Sequence, residues 1–186
     1  LALMRFLATY YQRPLGETMI AALPPRLRSV KPLPRKATAL AEGAASPRFV
    51  PTHALTAAQA EAVERIARAA GQFQAFLLHG VTGSGKTEVY LHLIARTIER
   101  GQQALVLVPE ISLTPQLEER FRRAFPEARL AVMHSGLEDV ARTAGWLQAA
   151  RGEAAIVLGT RLAVLAPLPR LALILVDEEH DPSFKQ

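Results

Sequence analysis

The sequence predicts an α/β fold in which a parallel β-sheet is covered by helices on both faces. Short, almost wholly apolar runs recur from residue 76 onward, and amphipathic segments with helical spacing lie between them. Buried parallel strands are nearly continuous apolar runs, and the connection between two of them is usually a helix. A chain of 186 residues is long enough to bury one such core.

Each element has its own local signal. The predicted strands are FLLH at 76–79, ALVLV at 104–108, LAVMH at 130–134, AIVLG at 155–159 and LALILV at 171–176. Apolar residues at helical spacing predict helices at 57–70, 86–100, 115–125 and about 138–150, and a helical turn at 161–165. Thr56 and Gln59 fit a capping box before the first of these helices, and Gly71 supplies its stop. Thr114, followed by a proline, is the expected N-cap of the helix at 115–125.

The N-terminal part differs in composition. Apolar spacing predicts a first helix up to the break at Arg13-Pro14 and a second from Gly16 to about Leu23, and six prolines then lie between residues 24 and 51. We therefore divide the chain into a helical segment at 1–28, a Pro-rich basic linker at 29–54 and an α/β unit at 55–186.

Charge and cysteine content limit the class of protein. Residues 1–50 hold eight Lys or Arg against two Asp or Glu, whereas the remainder holds 14 against 15. This basic segment either attracts nucleic acid or another acidic surface, or is a solvated linker. The absence of cysteine excludes disulfides and zinc–thiolate sites and is compatible with a reducing cytoplasm. No run of about 18 apolar residues predicts a membrane span, and the first residues do not resemble a signal peptide.

The run GVTGSGKT at 80–87 fits the phosphate-loop pattern in full. It lies between a predicted strand and a predicted helix, where backbone N–H groups and the helix dipole favour an anion. Lys86 is expected to contact the β- and γ-phosphates of ATP, and the Thr87 hydroxyl to bind Mg²⁺. The alternative is a glycine-rich turn that binds nothing. The predicted phosphate-binding residues are Gly80, Val81, Thr82, Gly83, Ser84, Gly85, Lys86 and Thr87.

Two carboxylates complete the predicted site. The apolar run at 171–176 brings Asp177 and Glu178 to the C-terminal edge of the sheet, where open α/β sheets bind ligands. Asp177 is expected to hold Mg²⁺ together with Thr87, and Glu178 to polarise the attacking water. Asp177, Glu178 and Lys86 are therefore the predicted catalytic residues, the alternative being a charged turn after a strand.

Longer motifs resemble those of the PriA family of replication-restart helicases. They are GVTGSGKTEVYL at 80–91, LVPEISLTPQ at 107–116, HSGL at 134–137, GEAAIVLGTR at 152–161 and VDEEHDPSFKQ at 176–186. Asp-Glu-x-His after an apolar strand is the motif II form of superfamily 2 helicases. The resemblance runs from Leu55 to Gln186, and residues 10–28 are similar to the stretch after the family's domain for 3′ DNA ends. It implies that the α/β unit is a RecA-like lobe, the first lobe of a two-lobe motor.

The resemblance also implies an activity and its partners. It implies an ATP- and Mg²⁺-dependent 3′-to-5′ DNA helicase that acts on single-stranded and forked DNA together with primosome and single-strand-binding proteins. A cytoplasmic, nucleoid-associated protein without a membrane partner is then expected. The alternative from another class is a non-hydrolysing DNA-binding primosome scaffold with a vestigial nucleotide site. A phosphoryl-transferring kinase is a further alternative, which the Asp-Glu-x-His motif disfavours.

Individual roles follow from the same resemblance. Gln59 corresponds to the residue that reads adenine, although its place in a capping box explains it equally well. His180 corresponds to the residue that couples nucleotide state to the DNA path, whereas His79, His92 and His134 are expected to be structural. The residues that correspond to DNA contacts are Pro109, Ser112, Thr114, Gly159, Thr160 and Arg161. For Thr160 and Arg161, a helix cap and a surface arginine are the alternatives.

Two departures from the family are expected. Between Arg28 and Leu55 the sequence has only the Pro-rich segment, where the family carries a winged-helix module. The sequence stops just past motif II, before the family's second lobe with its ATP-site arginines and its cysteine-bound zinc. We therefore expect a fragment that contains one motor lobe, with zinc confined to the part that is missing.

Overall fold

The computed structural model describes residues 1–29, 48–81 and 83–184. Its helices are α1 (Ala2–Tyr10), α2 (Leu15–Ala22), α3 (Ala57–Ala67), α4 (Lys86–Glu99), α5 (Pro115–Ala124) and α6 (Asp139–Ala150). Its strands are β1 (Gln103–Leu107), β2 (Leu130–Met133), β3 (Ile156–Gly159) and β4 (Leu171–Val176). Short 3-10 turns cover Pro25–Leu27, Glu110–Ser112, Arg161–Leu165 and Pro182–Phe184. Most of the predicted linker, including residues 30–47, lies outside the described residues, as does Thr82.

The described strands form one parallel sheet in the order β2-β3-β1-β4. Leu107, the last residue of β1, pairs with Gly159 of β3 and with Val176 of β4, and Met133 of β2 also pairs with Gly159. All four strands therefore end at one edge of the sheet. The segments that follow them, which carry most of the predicted site residues, start at that edge.

Helices cover both faces of the sheet, which confirms the predicted fold class. On one face, α3, α4 and α5 pack through residues such as Val63, Ile94 and Phe121 against alternate residues of β1, β3 and β4. On the other face, α6 and the turn at Arg161–Leu165 pack on the remaining residues of β1, β2 and β3, with Trp146 and Phe184 at the margin. β1 and β3 are buried throughout, as expected for central strands.

The predicted strand at 76–79 is wrong. These residues lie outside all the strands, and Leu77 is 79% exposed, although Leu78 packs on the core. A strand needs a hydrogen-bonded neighbour, and among the described residues nothing pairs with the side of β4 opposite β1. The apolar run predicted burial, but its backbone has no ladder to join here.

The N-terminal helices form as predicted, on either side of Arg13-Pro14. α1 and α2 contact each other, and the turn at Pro25–Leu27 contacts α6 on the main unit. Ala8 is the buried residue of α1, while Phe6 and Tyr10 stack on the exposed surface. None of the helices in the described ranges is long and apolar enough to cross a membrane.

The end of the predicted linker packs on the α/β unit. Phe49 stacks on Phe125 at 5.2 Å between ring centroids and meets the His92 ring edge-on. The Val50 N–H donates a hydrogen bond to the Ala124 carbonyl oxygen, 2.8 Å away. The packed unit therefore begins before residue 55, which is the boundary predicted from the sequence.

Candidate functional site

The glycine-rich loop leads directly into α4, whose first residue is Lys86. Gly83 and Gly85 both have φ near 80°, a left-handed conformation that side-chain-bearing residues rarely adopt. With Gly85 as its N-cap, α4 begins without a side-chain cap, so its first N–H groups are oriented toward the loop. A helix of 14 residues that starts behind such a loop is suited to hold phosphate.

The Lys86 ammonium is folded back over this loop. Its Nζ donates to the carbonyl oxygens of Gly80 and Val81, at 2.6 and 3.2 Å. An ammonium has three N–H donors, and two of them shape the loop in this conformation. Lys86 therefore places its charge inside the predicted phosphate site, and Thr87 follows it in the first turn of α4.

Gln59 joins α3 to the same loop. Its Oε1 accepts from the Thr56 N–H at 2.9 Å, and the Thr56 hydroxyl accepts from the Gln59 N–H at 3.3 Å, which confirms the predicted capping box. Its Nε2 also donates to the Ser84 carbonyl oxygen at 3.0 Å. The capping role is therefore present, and the side chain also contacts the glycine-rich loop.

Asp177 lies one residue past the end of β4, at the same edge of the sheet. Its N–H donates to the Leu107 carbonyl oxygen at 2.9 Å, which continues the ladder between β1 and β4. Its Oδ1 accepts from the Tyr90 hydroxyl, 3.1 Å away on α4. This hydrogen bond brings the end of β4 and the helix that follows the phosphate loop into direct contact.

Glu178 occupies a turn with an unusual backbone. Its φ is 48°, one of the few positive values outside glycine among the described residues, and such conformations are enriched at functional sites. Its exposed carboxylate lies 3.5 Å from the Ser112 hydroxyl, at the limit for a hydrogen bond. The predicted base therefore lies between the end of β4 and the segment that follows β1.

The turn after Glu178 is held by Asp181. Its carboxylate accepts from the Ser183 N–H at 2.8 Å, and hydrogen bonds from the Ser183 hydroxyl and N–H lower the pKa of Asp181. Arg161, which follows β3, donates to the Ser183 carbonyl oxygen at 3.2 Å. His180 is exposed in this turn. The acidic turn is thus linked to the segment at 159–161.

The residues predicted to contact DNA lie on neighbouring segments at this edge. Pro109 is buried, Ser112 ends a 3-10 turn, and the Thr114 hydroxyl accepts from the Leu117 N–H as the predicted N-cap of α5. Thr160 is buried at the start of the next 3-10 turn, but its side chain makes no capping hydrogen bond. The structure therefore brings the two predicted contact segments together.

A shallow depression of about 200 Å³ lies between these segments. It is lined by Glu110, Leu113, His134, Ser135, Gly136 and Thr160. The Ser135 hydroxyl donates to Glu110 Oε1 at 2.8 Å, and Arg142 of α6 donates to the Ser135 carbonyl oxygen at 2.6 Å. The contribution of the loop after β2 was missed from the sequence, where the motif HSGL was its only signal.

Thr87 and Asp177 are residues that could hold a Mg²⁺ ion bound together with a nucleotide. Within the described ranges, no cluster of three or more His, Cys, Asp or Glu is suited to bind a metal. Mg²⁺ in nucleotide sites is usually held by one or two protein oxygens together with phosphates and water. Thr87 on α4 and Asp177 after β4 are of that type, and the Tyr90–Asp177 hydrogen bond shows that these two elements meet.

A buried ion pair behind the loop was also missed. Glu88 is 5% exposed, and its Oε1 accepts from Arg120 of α5 at 2.6 Å and lies 3.3 Å from His53 Nδ1. Burial alone raises the pKa of Glu88, but the hydrogen bonds from Arg120 and His53 outweigh burial and lower it. The pair joins α4 and α5, so it connects the phosphate loop to the segment at 109–114.

Comparison with known proteins gives consistent matches. The family model described as type III restriction enzyme, res subunit, matches residues 52–186. The chain is 53% identical over 132 residues to replication restart protein PriA of Synechocystis sp., which covers 71% of this chain and 16% of that protein. It is 50% identical over 115 residues to PriA of Bacillus subtilis, covering 62% of this chain and 14% of that protein. With PriA of Treponema pallidum it is 39% identical over 186 residues, which is all of this chain and 27% of that protein.

Proposed function

The chain belongs to the family described as type III restriction enzyme, res subunit, and on that basis we propose that it is the first ATP-binding lobe of a DNA helicase of replication restart. Its similarity to replication restart proteins PriA, one of them over the whole chain, supports the choice of process. The chain spans 14 to 27% of the length of the three relatives named above, so the activity proposed is that of a longer protein. The observation that carries the proposal is the contact between α4 and Asp177, because it joins the phosphate loop to the acidic end of β4.

In this proposal the residues of the chain have distinct roles. The N–H groups of residues 83–87 and the Lys86 ammonium bind the phosphates of ATP, and Gln59 lies beside the adenine. Mg²⁺, when bound with the nucleotide, supplies positive charge to the transferring phosphoryl group. Thr87 and Asp177 are the residues that would bind the Mg²⁺ ion. Glu178 orients the attacking water and accepts its proton.

Single-stranded DNA is the proposed second ligand. The segments at 109–114 and 159–161 carry hydroxyls, N–H groups and Arg161 along the same edge, which suits contacts to phosphates. The Ser112–Glu178 and Arg161–Ser183 contacts connect these segments to the acidic turn that contains His180. We propose that this turn couples the state of the bound nucleotide to DNA binding.

The remaining proposals come from the relatives. They are 3′-to-5′ polarity, forked DNA as substrate, primosome and single-strand-binding proteins as partners, and a cytoplasmic location at the nucleoid. These 186 residues contain no cysteine, so a cysteine-bound zinc, if the longer protein has one, is held by residues elsewhere in that protein.

The variant Glu178→Gln tests the proposed reaction in a full-length protein that contains this chain. Glutamine keeps the shape of the side chain but cannot accept a proton, so we expect ATP binding to be retained and DNA-stimulated turnover to fall by about 10²–10⁴-fold. The measurements are ATP binding and steady-state ATPase with and without single-stranded DNA. Glu179→Gln is the matched control, since it changes the neighbouring exposed carboxylate.

The outcomes separate the alternatives. If the Glu178→Gln protein hydrolyses ATP at the wild-type rate, a residue other than Glu178 is the general base. A wild-type protein that binds ATP and DNA but does not hydrolyse ATP would favour the scaffold. Phosphorylation of an added acceptor without DNA stimulation would favour the kinase.

A further inference from the structure

Tyr90 is the residue through which α4 contacts the acidic end of β4. Its hydroxyl donates to Asp177 Oδ1 at 3.1 Å. Its ring belongs to the main core cluster, and the residue is only 9% exposed. The hydroxyl is therefore held in place by a packed ring and not by a mobile surface side chain.

The position of Tyr90 on α4 gives this contact its significance. Lys86 and Tyr90 are four residues apart in one helix, so both lie on the same helix face. One helix face thus presents the lysine of the phosphate loop and the donor to the Asp177 carboxylate. If Asp177 moves relative to the loop, the Tyr90–Asp177 hydrogen bond either breaks or Tyr90 moves with Asp177.

The Tyr90 hydroxyl contacts only one of the two oxygens of the Asp177 carboxylate. A neutral phenol can donate to one carboxylate oxygen while the other oxygen binds a cation. Among the described residues, no hydrogen bond reaches the second oxygen of Asp177.

We propose that Tyr90 is a positioning residue that orients the Asp177 carboxylate so that its second oxygen binds the divalent cation of the nucleotide complex. This inference rests on the proposed function, since it assigns a role in that same site. It adds a residue that no part of the phosphate-loop or Asp-Glu-x-His pattern specifies. Partners that orient metal ligands commonly change metal affinity or activity by about 10–100-fold when they are removed.

The test is Mn²⁺ binding by the 186-residue chain in the presence of ADP, measured by electron paramagnetic resonance. The variant Tyr90→Phe keeps the buried ring and removes only the hydroxyl. We expect its Mn²⁺ affinity to be weaker by about tenfold or more, with ADP binding in the absence of metal unchanged. Tyr11→Phe, which removes the hydroxyl of an exposed tyrosine, is the matched control.

A double-mutant cycle separates positioning from a general effect on structure. If Tyr90 acts through Asp177, the double variant Tyr90→Phe/Asp177→Asn binds Mn²⁺ no more weakly than Asp177→Asn alone. Additive losses, or a Tyr90→Phe variant that binds Mn²⁺ like the wild type, would overturn the inference. A wild-type chain whose ADP complex binds no Mn²⁺ would overturn the proposed function as well.

The wild-type chain carries the test if the Tyr90→Phe variant does not fold. Bound Mn²⁺ broadens the magnetic resonance signals of nearby protons, so the ring signals of Tyr90 should disappear before those of Tyr10 and Tyr11. Equal broadening of all three would contradict a cation site beside Asp177.

Discussion

Lys86 shows how one side chain serves both the fold and the proposed site. Its ammonium bonds the carbonyl oxygens of Gly80 and Val81, and so closes the loop on itself. Gly83 and Gly85 have positive φ angles, which glycine adopts at little cost. The glycines permit the backbone conformation of the loop, whereas Lys86 closes the loop and supplies the positive charge.

Lys86→Ala should weaken binding of Mg-ATP while the fold persists. A hydrogen bond to a charged group contributes about 1.5–3 kcal/mol, which corresponds to about a ten- to hundredfold loss of affinity. The measurement is a titration with a fluorescent ATP analogue, with circular dichroism to follow the fold. Arg100→Ala is the control, because it removes an exposed positive charge at the other end of α4. Equal affinities for Lys86→Ala and wild type would mean that this loop does not bind phosphate.

The ion pair of Glu88 and Arg120 links two helices across the face of the sheet. Both Arg120 and His53 approach the same oxygen of Glu88, and the other oxygen is buried without a partner among the described residues. A buried carboxylate that loses its cation is costly. The packing of α5 on α4 thus depends on charge as well as on apolar contact.

Arg120→Met should destabilise the fold by about 1–3 kcal/mol at neutral pH, because it leaves a buried carboxylate short of its main partner. Arg123→Met, which breaks an exposed pair with Glu119 on the same helix, should cost only about 0.3–0.5 kcal/mol. Chemical denaturation of the three proteins measures both effects. If the two variants lose similar free energies of unfolding, the buried Glu88–Arg120 pair contributes no more to stability than the exposed Glu119–Arg123 pair.

The Arg120 effect should also depend on pH. The pKa of Glu88 is lowered from its ordinary value of 4.5 in the folded protein, so the pair stabilises the fold fully above that value. Its contribution is lost as pH falls through the lowered pKa, where the carboxyl is neutral in both states. The difference between wild type and Arg120→Met should therefore narrow below about pH 4.5. A difference that stays constant down to pH 3 would contradict this assignment.

At the scale of the whole molecule, β4 exposes several apolar side chains. Leu171, Ile174 and Val176 are 39, 50 and 42% exposed, and β4 lies at an edge of the described sheet. Exposed apolar edge strands promote pairing between chains. The 186-residue chain on its own should therefore associate as its concentration rises.

Ile174→Thr should weaken this association. Threonine keeps the β-branched shape that strands favour, and the loss of about 1.5 kcal/mol of apolar burial corresponds to roughly tenfold in the association constant. Sedimentation velocity at several concentrations measures it. Val140→Thr changes a similarly exposed β-branched side chain on α6, which contacts β2 at the opposite edge of the sheet, and it should leave association unchanged. A similar shift in both variants would point to general hydrophobicity.

The chain alone should also hydrolyse ATP far below about 1 s⁻¹, the low end of common turnover numbers. In the two-lobe motors that the sequence resembles, an arginine of the second lobe is expected to stabilise the transferring phosphoryl group, and such an arginine contributes about 10³–10⁵ in rate in GTPases. No motif within residues 1–186 assigns an arginine to that place. Steady-state ATPase with and without single-stranded DNA is the measurement, with Lys86→Ala as background. Lys86-dependent turnover near 1 s⁻¹ would mean that this lobe holds a complete active site.

The amino-acid sequence determined those features whose signals are local. The Thr56–Gln59 capping box, the Thr114 N-cap and the glycine-rich loop each depend on residues a few positions apart, and all three are present in the structure. The apolar run at 171–176 forms β4 with the predicted bounds. Local backbone preference and side-chain spacing are sufficient for features of this kind.

Features that depend on how the elements pair were settled by the tertiary structure. The run at 76–79 has the composition of a strand, but no neighbour within residues 1–29, 48–81 and 83–184 completes its hydrogen bonds, so composition alone predicted it wrongly. The Tyr90–Asp177 and Arg120–Glu88 contacts join residues 87 and 32 positions apart. Their geometry follows from the register of β1 and β4 and from the packing of α4 and α5. Since no local pattern encodes that register, the carboxylates and the loop could be predicted one by one, but the residues that hold them together could not.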